Sequence, residues 1–457
     1  MLKRNLLVFY FAAIVVLFFI FSFSAVGIFF EDYGWHDQQR ILQVLFIIGC
    51  VIGVFFIRAK KFSFFYFSTI SIFFSCGLIS IFLSDFIWWS VKEWAVFLGL
   101  VFVVYTSSFV FESEEKVFYV FLLAGFIALC LALKFLIFYM SAIVSGIGDF
   151  SAEVLQPGFD NPRFLGQFQL VAIPASMYLV SYFWDSHQRI LMLTFLVVLI
   201  VHWLLSIVLG GRGVWLALFL SNVAFSFFSS FRKYIFIQFF SLFVSAILFW
   251  FLFRFIPSLV GFNSFIFSGA RTGLSSRELL WDRALDMFLE SPWFGIGPMQ
   301  FSAVYNSVAA HPHQIFLQIA AEWGGVALLM FVLTVFWGAR DCIFFLKKRR
   351  AVNSDFVVVF ILLNLFLLAQ LDGVFVMPYV QTWFALFVGV ILGRSSYGNG
   401  PQRQGLLACY FPVFLILILS SILFFDVPRL VEMENFYLHT TGGVWAPRFW
   451  FQGWIGL

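Results

Sequence analysis

Apolar residues run along this chain in blocks of about 20, separated by short polar breaks, not in the alternating or one-faced patterns of soluble strands and helices. The first block follows Met-Leu-Lys-Arg and reaches about Phe30. Others begin near Ile41, Phe62, Trp94, Val117, Phe164, Ile190, Val214, Tyr234, Ile315, Phe356, Val374 and Gly405. Each is long enough to cross a bilayer as a helix. The pattern predicts an all-α, polytopic integral membrane protein of about 12–13 transmembrane helices, the lower number if one block is re-entrant. The first block is too long for a signal-peptide core and lacks a small-residue cleavage site after it, so it reads as a retained span.

Two polar breaks are long enough to build something. They divide the chain into N-terminal spans over 1–256 (about nine), a loop over 257–313, C-terminal spans over 314–425 (about four) and a tail over 426–457. Gly393–Gly405 reads as a flexible linker by composition. Within the loop, Ser275 and Glu278 have capping-box spacing. Leu280, Ala284, Met287 and Phe288 then recur at helical intervals, and Pro292 closes the helix. This predicts amphipathic helix at the membrane surface, with a structural cap on the bundle as the plainer alternative. Gly295-Ile296-Gly297-Pro298 predicts a tight turn.

Composition agrees: 63% hydrophobic and 11% charged, against about 25% charged in soluble domains. Lys and Arg set the orientation. With the N-terminus inside, most of them fall in inner segments, for example Arg58, Lys60, Lys61, Lys347 and Lys348. Those left outside stand singly: Arg40, Lys92, Arg163, Arg212, Arg271, Arg277, Arg283, Arg429 and Arg448. The five cysteines form no CxxC or Cys/His ligand spacing, so no disulfide framework or zinc site is expected.

Candidate chemistry lies in these outer pieces. Arginine suits bidentate phosphate contact. Arg163 sits in Phe-Asp-Asn-Pro-Arg with Gln167 and Gln169 beyond it, Arg212 in Gly-Gly-Arg-Gly, and Arg40 after Asp37-Gln38-Gln39. Each alone is commonly a headgroup anchor; together they suit a pyrophosphate. His311-Pro312-His313-Gln314 closes the loop, and Gln318 and Glu322 follow at spacings that could share part of a helix face. His313 could take a proton from a hydroxyl or merely bond headgroups. His311 and His313 have no evident third metal ligand. Glu322, inside a span, is functional by default or orients a neighbouring helix. There is no phosphate-loop lysine, dinucleotide fingerprint or serine-nucleophile elbow, and no basic aromatic face for nucleic acid.

Arg277 with Trp281, Pro292, Gly295 and Gly297, then His-Pro-His313-Gln with Glu322 and Gly324, resemble the O-antigen ligase and polymerase superfamily. Gly211-Arg212-Gly213 is similar to that family's Ser/Gly-Arg-Gly element. His36-Asp37-Gln38-Gln39-Arg40, Phe159–Arg163 with Gln167 and Gln169, Asp372-Gly373-Val374 with Met377-Pro378, and Pro447–Gly453 look like its pilin O-oligosaccharyltransferase branch. Gln314 replaces the Asn usual after the histidine, keeping an amide. The tail is shorter than in members with larger C-terminal domains.

The resemblance implies a glycosyltransferase of the bacterial inner membrane whose active site faces the periplasm. It implies transfer of a glycan from an undecaprenyl-pyrophosphate donor to a hydroxyl, foremost a pilin Ser or Thr, by direct displacement without metal or cofactor. On this reading His313, Arg277 and Glu322 are catalytic. Arg163, Arg212, Arg271, Arg40, Gln167, Trp281, His311, Gln314 and Lys92 bind substrate. Glu322 and Gln318 fix the helix or the histidine tautomer. The alternatives are a ligase to lipid A-core, a repeat-unit polymerase, and, in a different class, a lipid-linked glycan flippase. The few ionisable residues within spans and the one-sided polar residues weigh against the flippase.

Overall fold

In a computed structural model the described residues are 2–22, 34–57, 63–146, 158–260, 276–306, 308–348, 351–395, 407–442 and 446–456. Among them there are helices and turns but no strand. Each apolar block of the sequence becomes a helix. This is the required outcome in lipid, where backbone polar groups must be satisfied within the segment. Nine helices among the described residues are long and apolar enough to span, and Val8–Phe21, Arg212–Ser226 and Asn353–Leu368 are shorter apolar helices. The chain is a multi-pass membrane protein.

The chain forms two compact units interleaved along the sequence. The first comprises residues 1–112, 274–350 and 369–457; the second comprises 113–273 and 351–368. In the first unit, the Ile87–Val110 helix packs on Trp35–Val54 and Pro378–Ser395, and Ile315–Leu346 packs on Phe64–Phe82. In the second, Pro162–Asp185 is enclosed by Glu114–Val144, Arg189–Leu209 and Asn353–Leu368. That position explains its small and polar residues, from Gly166 through Ala172 to Ser176, all buried.

Several local expectations change. His36–Arg40 is not an outer loop: it forms the first turns of Trp35–Val54, and all five residues are buried. The loop helix is present as Arg277–Glu290, and Leu280, Ala284 and Met287 are its buried face. Its N-cap is Ser276, in a left-handed conformation without a side-chain cap bond; Ser275 lies outside the described residues. His313 and Gln314 precede the Ile315–Leu346 helix instead of sharing its face: His313 has φ +56° and Gln314 is the N-cap. The tail begins helically, with apolar helix continuing over Phe411–Thr440. Its later part is buried: Arg448, Phe449, Trp450 and Trp454 are at most 4% exposed.

Candidate functional site

The first unit builds a site around His311-Pro312-His313. Leu280, Ala284 and Met287 pack with Phe301, Ala309 and Ala321, which fixes the loop helix against the segment leading to the histidines. One turn beyond Arg277, Trp281 Nε1 donates to the Pro312 carbonyl at 3.2 Å. Gln314 caps the following helix by accepting from the Leu317 N–H, and its Nε2 donates to Gln370 Oε1 at 3.2 Å. The Ile315 N–H donates to the Ala369 carbonyl at 3.1 Å. These bonds bring residues 369–373 alongside the histidine turn.

His313 Nδ1 lies 3.2 Å from Asp372 Oδ1, within ion-pair reach though off the line of a hydrogen bond. The His313 N–H donates to His311 Nδ1 at 3.3 Å, and the two rings stand 4.1 Å apart, edge to face. An accepting Nδ1 puts the His311 proton on Nε2. The His311 ring lies over Gly373, where a Cβ would come within 2.4 Å of Cε1; only glycine fits under that ring. The arrangement offers an oriented imidazole beside a carboxylate, which is the geometry of a general base.

Glu322 and Gln318 have other partners. Glu322 Oε1 accepts from the Phe301 N–H at 3.0 Å and Oε2 from Arg448 Nη2 at 2.7 Å. Gln318 Nε2 donates to Glu93 Oε1 at 3.4 Å. Arg448 Nη2 also meets both oxygens of Glu93, at 2.8 and 2.9 Å. Burial opposes the charge on Arg448, but Glu322 and Glu93 outweigh it and raise its pKa above the ordinary arginine value. The partner found at His313 is thus Asp372, whereas Glu322 secures the loop and the tail to a helix.

Arg40 and Lys92, expected at a phosphate site, are buried among protein partners. Arg40 is 3% exposed and donates to the carbonyls of Val376, Arg448 and Phe449 and to Gln43. Lys92 is 2% exposed, pairs with Asp426 and lies 3.6 Å over the Trp89 ring. Both hold protein.

The second unit carries Arg163, Gln167 and Arg212 at two helix N-termini. Asn161 Oδ1 accepts from the Arg163 N–H at 2.9 Å and caps Pro162–Asp185. Arg212 opens the Arg212–Ser226 helix after Gly211. The two starts are close, since a Cβ on Gly166 would lie 3.3 Å from Val214. Both arginines are exposed. Helix N-termini and arginines both favour anions. Gln167, one turn after Arg163, is fully buried, and neither amide atom has a protein partner. Beside Arg212, Ile207, Gly210 and Trp215 line an open hollow of about 460 Å³. Arg271 lies outside the described residues.

Three features went unread in the sequence. Glu93 stands beside Lys92 inside an apolar block, a signal that went unused. Asp372 entered only through resemblance. His202, within an apolar block, is fully buried between Gln169 Oε1 and the Ala128 carbonyl, each 2.8 Å from a ring nitrogen. Among the described residues no group of three His, Cys, Asp or Glu could hold a metal.

Residues 195–332 match the family model described as O-antigen ligase. The match covers less than a third of the chain and supports a likeness to the O-antigen ligase and polymerase superfamily. No curated protein matches the chain.

Proposed function

We propose that this chain is an O-oligosaccharyltransferase of the O-antigen ligase superfamily, set in the bacterial inner membrane. It moves a glycan from undecaprenyl pyrophosphate to a hydroxyl, foremost a pilin Ser or Thr, at the periplasmic face. The observation that carries the reading is His313 set 3.2 Å from Asp372 on a turn held by Trp281 and Gln314. Asp372 orients the imidazole through Nδ1 and leaves Nε2 for the acceptor. Such contacts are often poorly aligned before substrate is in place.

The acceptor oxygen forms a bond to the anomeric carbon while the bond from that carbon to the phosphate oxygen breaks. His313 Nε2 takes the acceptor proton, and undecaprenyl pyrophosphate leaves with the electron pair. Configuration inverts. Arg163, Arg212, Arg271 and Arg277 are assigned to the pyrophosphate, where positive charge stabilises the leaving group. Gln167 is assigned to the donor as well, because a buried amide without a protein partner suits a polar ligand. Arg40 and Lys92 drop out of this assignment, and Glu322 becomes a positioning residue.

Ligation to lipid A-core is the second reading, favoured by the description of the matching family. The test is a transfer assay in a host that makes an undecaprenyl-pyrophosphate glycan but lacks its own ligase. This chain or its His313→Ala variant is co-expressed with pilin, and pilin mass and lipopolysaccharide banding are read together. A glycan-sized gain on pilin, lost in the variant, is expected. Unchanged pilin with laddered lipopolysaccharide would move the answer to a ligase or polymerase. No change in either, with the chain well inserted, would sink both and make lipid flipping the next assay.

A further inference from the structure

Residues 446–456 make more polar contacts with the rest of the first unit than a loose tail needs, and the contacts converge on one segment. The Arg448 backbone carbonyl accepts from Arg40 Nη2 at 3.2 Å, and the Phe449 carbonyl from Arg40 Nε at 3.0 Å. The Phe451 N–H donates to Asp37 Oδ1 at 2.6 Å. Trp450 Nε1 donates at 3.0 Å to Asp426, the partner of Lys92. Further along, the Ile455 N–H donates to the Ser302 carbonyl at 3.1 Å. Ala446 and Trp454 are buried together with Ala310 and Tyr437.

Ala310 is the focus. Its carbonyl accepts from Arg448 Nη1 at 3.2 Å and from Ser302 Oγ at 2.9 Å, and it immediately precedes His311-Pro312-His313. The same guanidinium sits between Glu93 and Glu322. One side chain therefore joins the histidine turn to two transmembrane helices.

We infer that segment 446–456 is a strap that holds the histidine turn in place, with Arg448 as the positioning residue that sets where His313 stands. The inference rests on the reading of His313 as the base, but its geometric half can be measured without activity. The strap is built for this placement. At Gly453 a Cβ would fall 1.7 Å from the Ala446 carbonyl oxygen, and at Gly456 2.0 Å from that of Ala303, so the chain passes where a side chain has no room. A lysine at position 448 would keep the charge but lose the planar fork that serves two carboxylates and a carbonyl at once.

The experiment uses the full chain in nanodiscs and two readouts. Ethoxycarbonylation of individual histidines by diethyl pyrocarbonate, followed by peptide mass spectrometry, reports access to His311 and His313; exposed His187 in the second unit is the internal control. Glycan transfer gives kcat and KM. The variants are Arg448→Lys, Gly453→Ala, and Glu93→Gln/Glu322→Gln/Arg448→Met, the last leaving no unpaired buried charge to unfold the protein. For the triple variant, labelling of His311 and His313 is expected to rise several-fold over His187, with kcat falling roughly 100-fold at little-changed KM, as a displaced catalytic group costs. Arg448→Lys should recover part of both. Wild-type labelling in folded triple and Gly453→Ala variants would overturn the strap. If His313→Ala itself proves active, the base assignment fails while the labelling still decides the strap.

Discussion

Two places in the molecule, one in each unit, hold polar groups in opposite ways. In the first, Arg448 is buried between Glu93 and Glu322, and Lys92 is buried against Asp426. In the second, Arg163 and Arg212 stand exposed at helix starts, and Gln167 is fully buried with neither amide atom bonded to protein. A buried polar group left unpaired costs about 1–3 kcal/mol, so it persists where something else uses it. On the proposed function, the Arg448 group holds geometry and Gln167 is kept for a ligand. Under the proposed function this separates a base that must be aimed from a phosphate site that must be filled.

The strongest test of the contrast is the base. His313→Ala should abolish transfer, and Asp372→Asn should lower kcat by roughly 100-fold or more, with the donor KM kept in both; a raised donor KM for either would blur the division. Next come the arginines of the second unit. Arg212→Lys and Arg163→Lys should each lower kcat/KM for the donor by about 1.5–3 kcal/mol, because a point charge cannot replace a fork on phosphate. Equal effects on donor and acceptor would remove the phosphate assignment.

Gln167→Met sharpens the comparison most directly. Thermal unfolding without donor should show a gain of about 1–3 kcal/mol as the unpartnered amide disappears, while donor affinity falls. Greater stability with unchanged donor affinity would make Gln167 a structural residue. The smallest effect is expected at Trp281→Phe, which keeps the packing and loses the bond to Pro312. A loss of about 0.5–1.5 kcal/mol should appear in kcat and in stability.

The sequence made some of this legible, for identifiable reasons. Spans were readable because a bilayer demands about 20 apolar residues at a time. The loop helix was readable because Leu280, Ala284 and Met287 mark its buried face. His36–Arg40 misled because polar residues beside a span look like a loop, whereas here they are a helical turn turned inward to bind the strap. The partnership of His313 with Asp372 joins positions 59 residues apart in the chain (372 minus 313), and no local spacing encodes it. The Arg448–Glu93–Glu322 group spans a still longer separation.

The Ile315–Leu346 helix is broken at Gly324, φ +84°, and the break has a consequence for how the chain is assembled. The Ala321 and Glu322 carbonyls accept from the Ile296 and Gly297 N–H groups, and the Gly325 and Val326 N–H groups donate to Pro292 and Trp293. Gly295 and Gly324 permit this approach, since a Cβ at either would lie 2.4 Å from the facing backbone. In hydrocarbon those groups cannot stay unbonded without several kcal/mol of cost. The segment thus enters the bilayer most readily as continuous helix and opens at Gly324 only when the preceding turn docks. Gly295→Ala should yield a chain that inserts normally yet stays protease-sensitive in its loop.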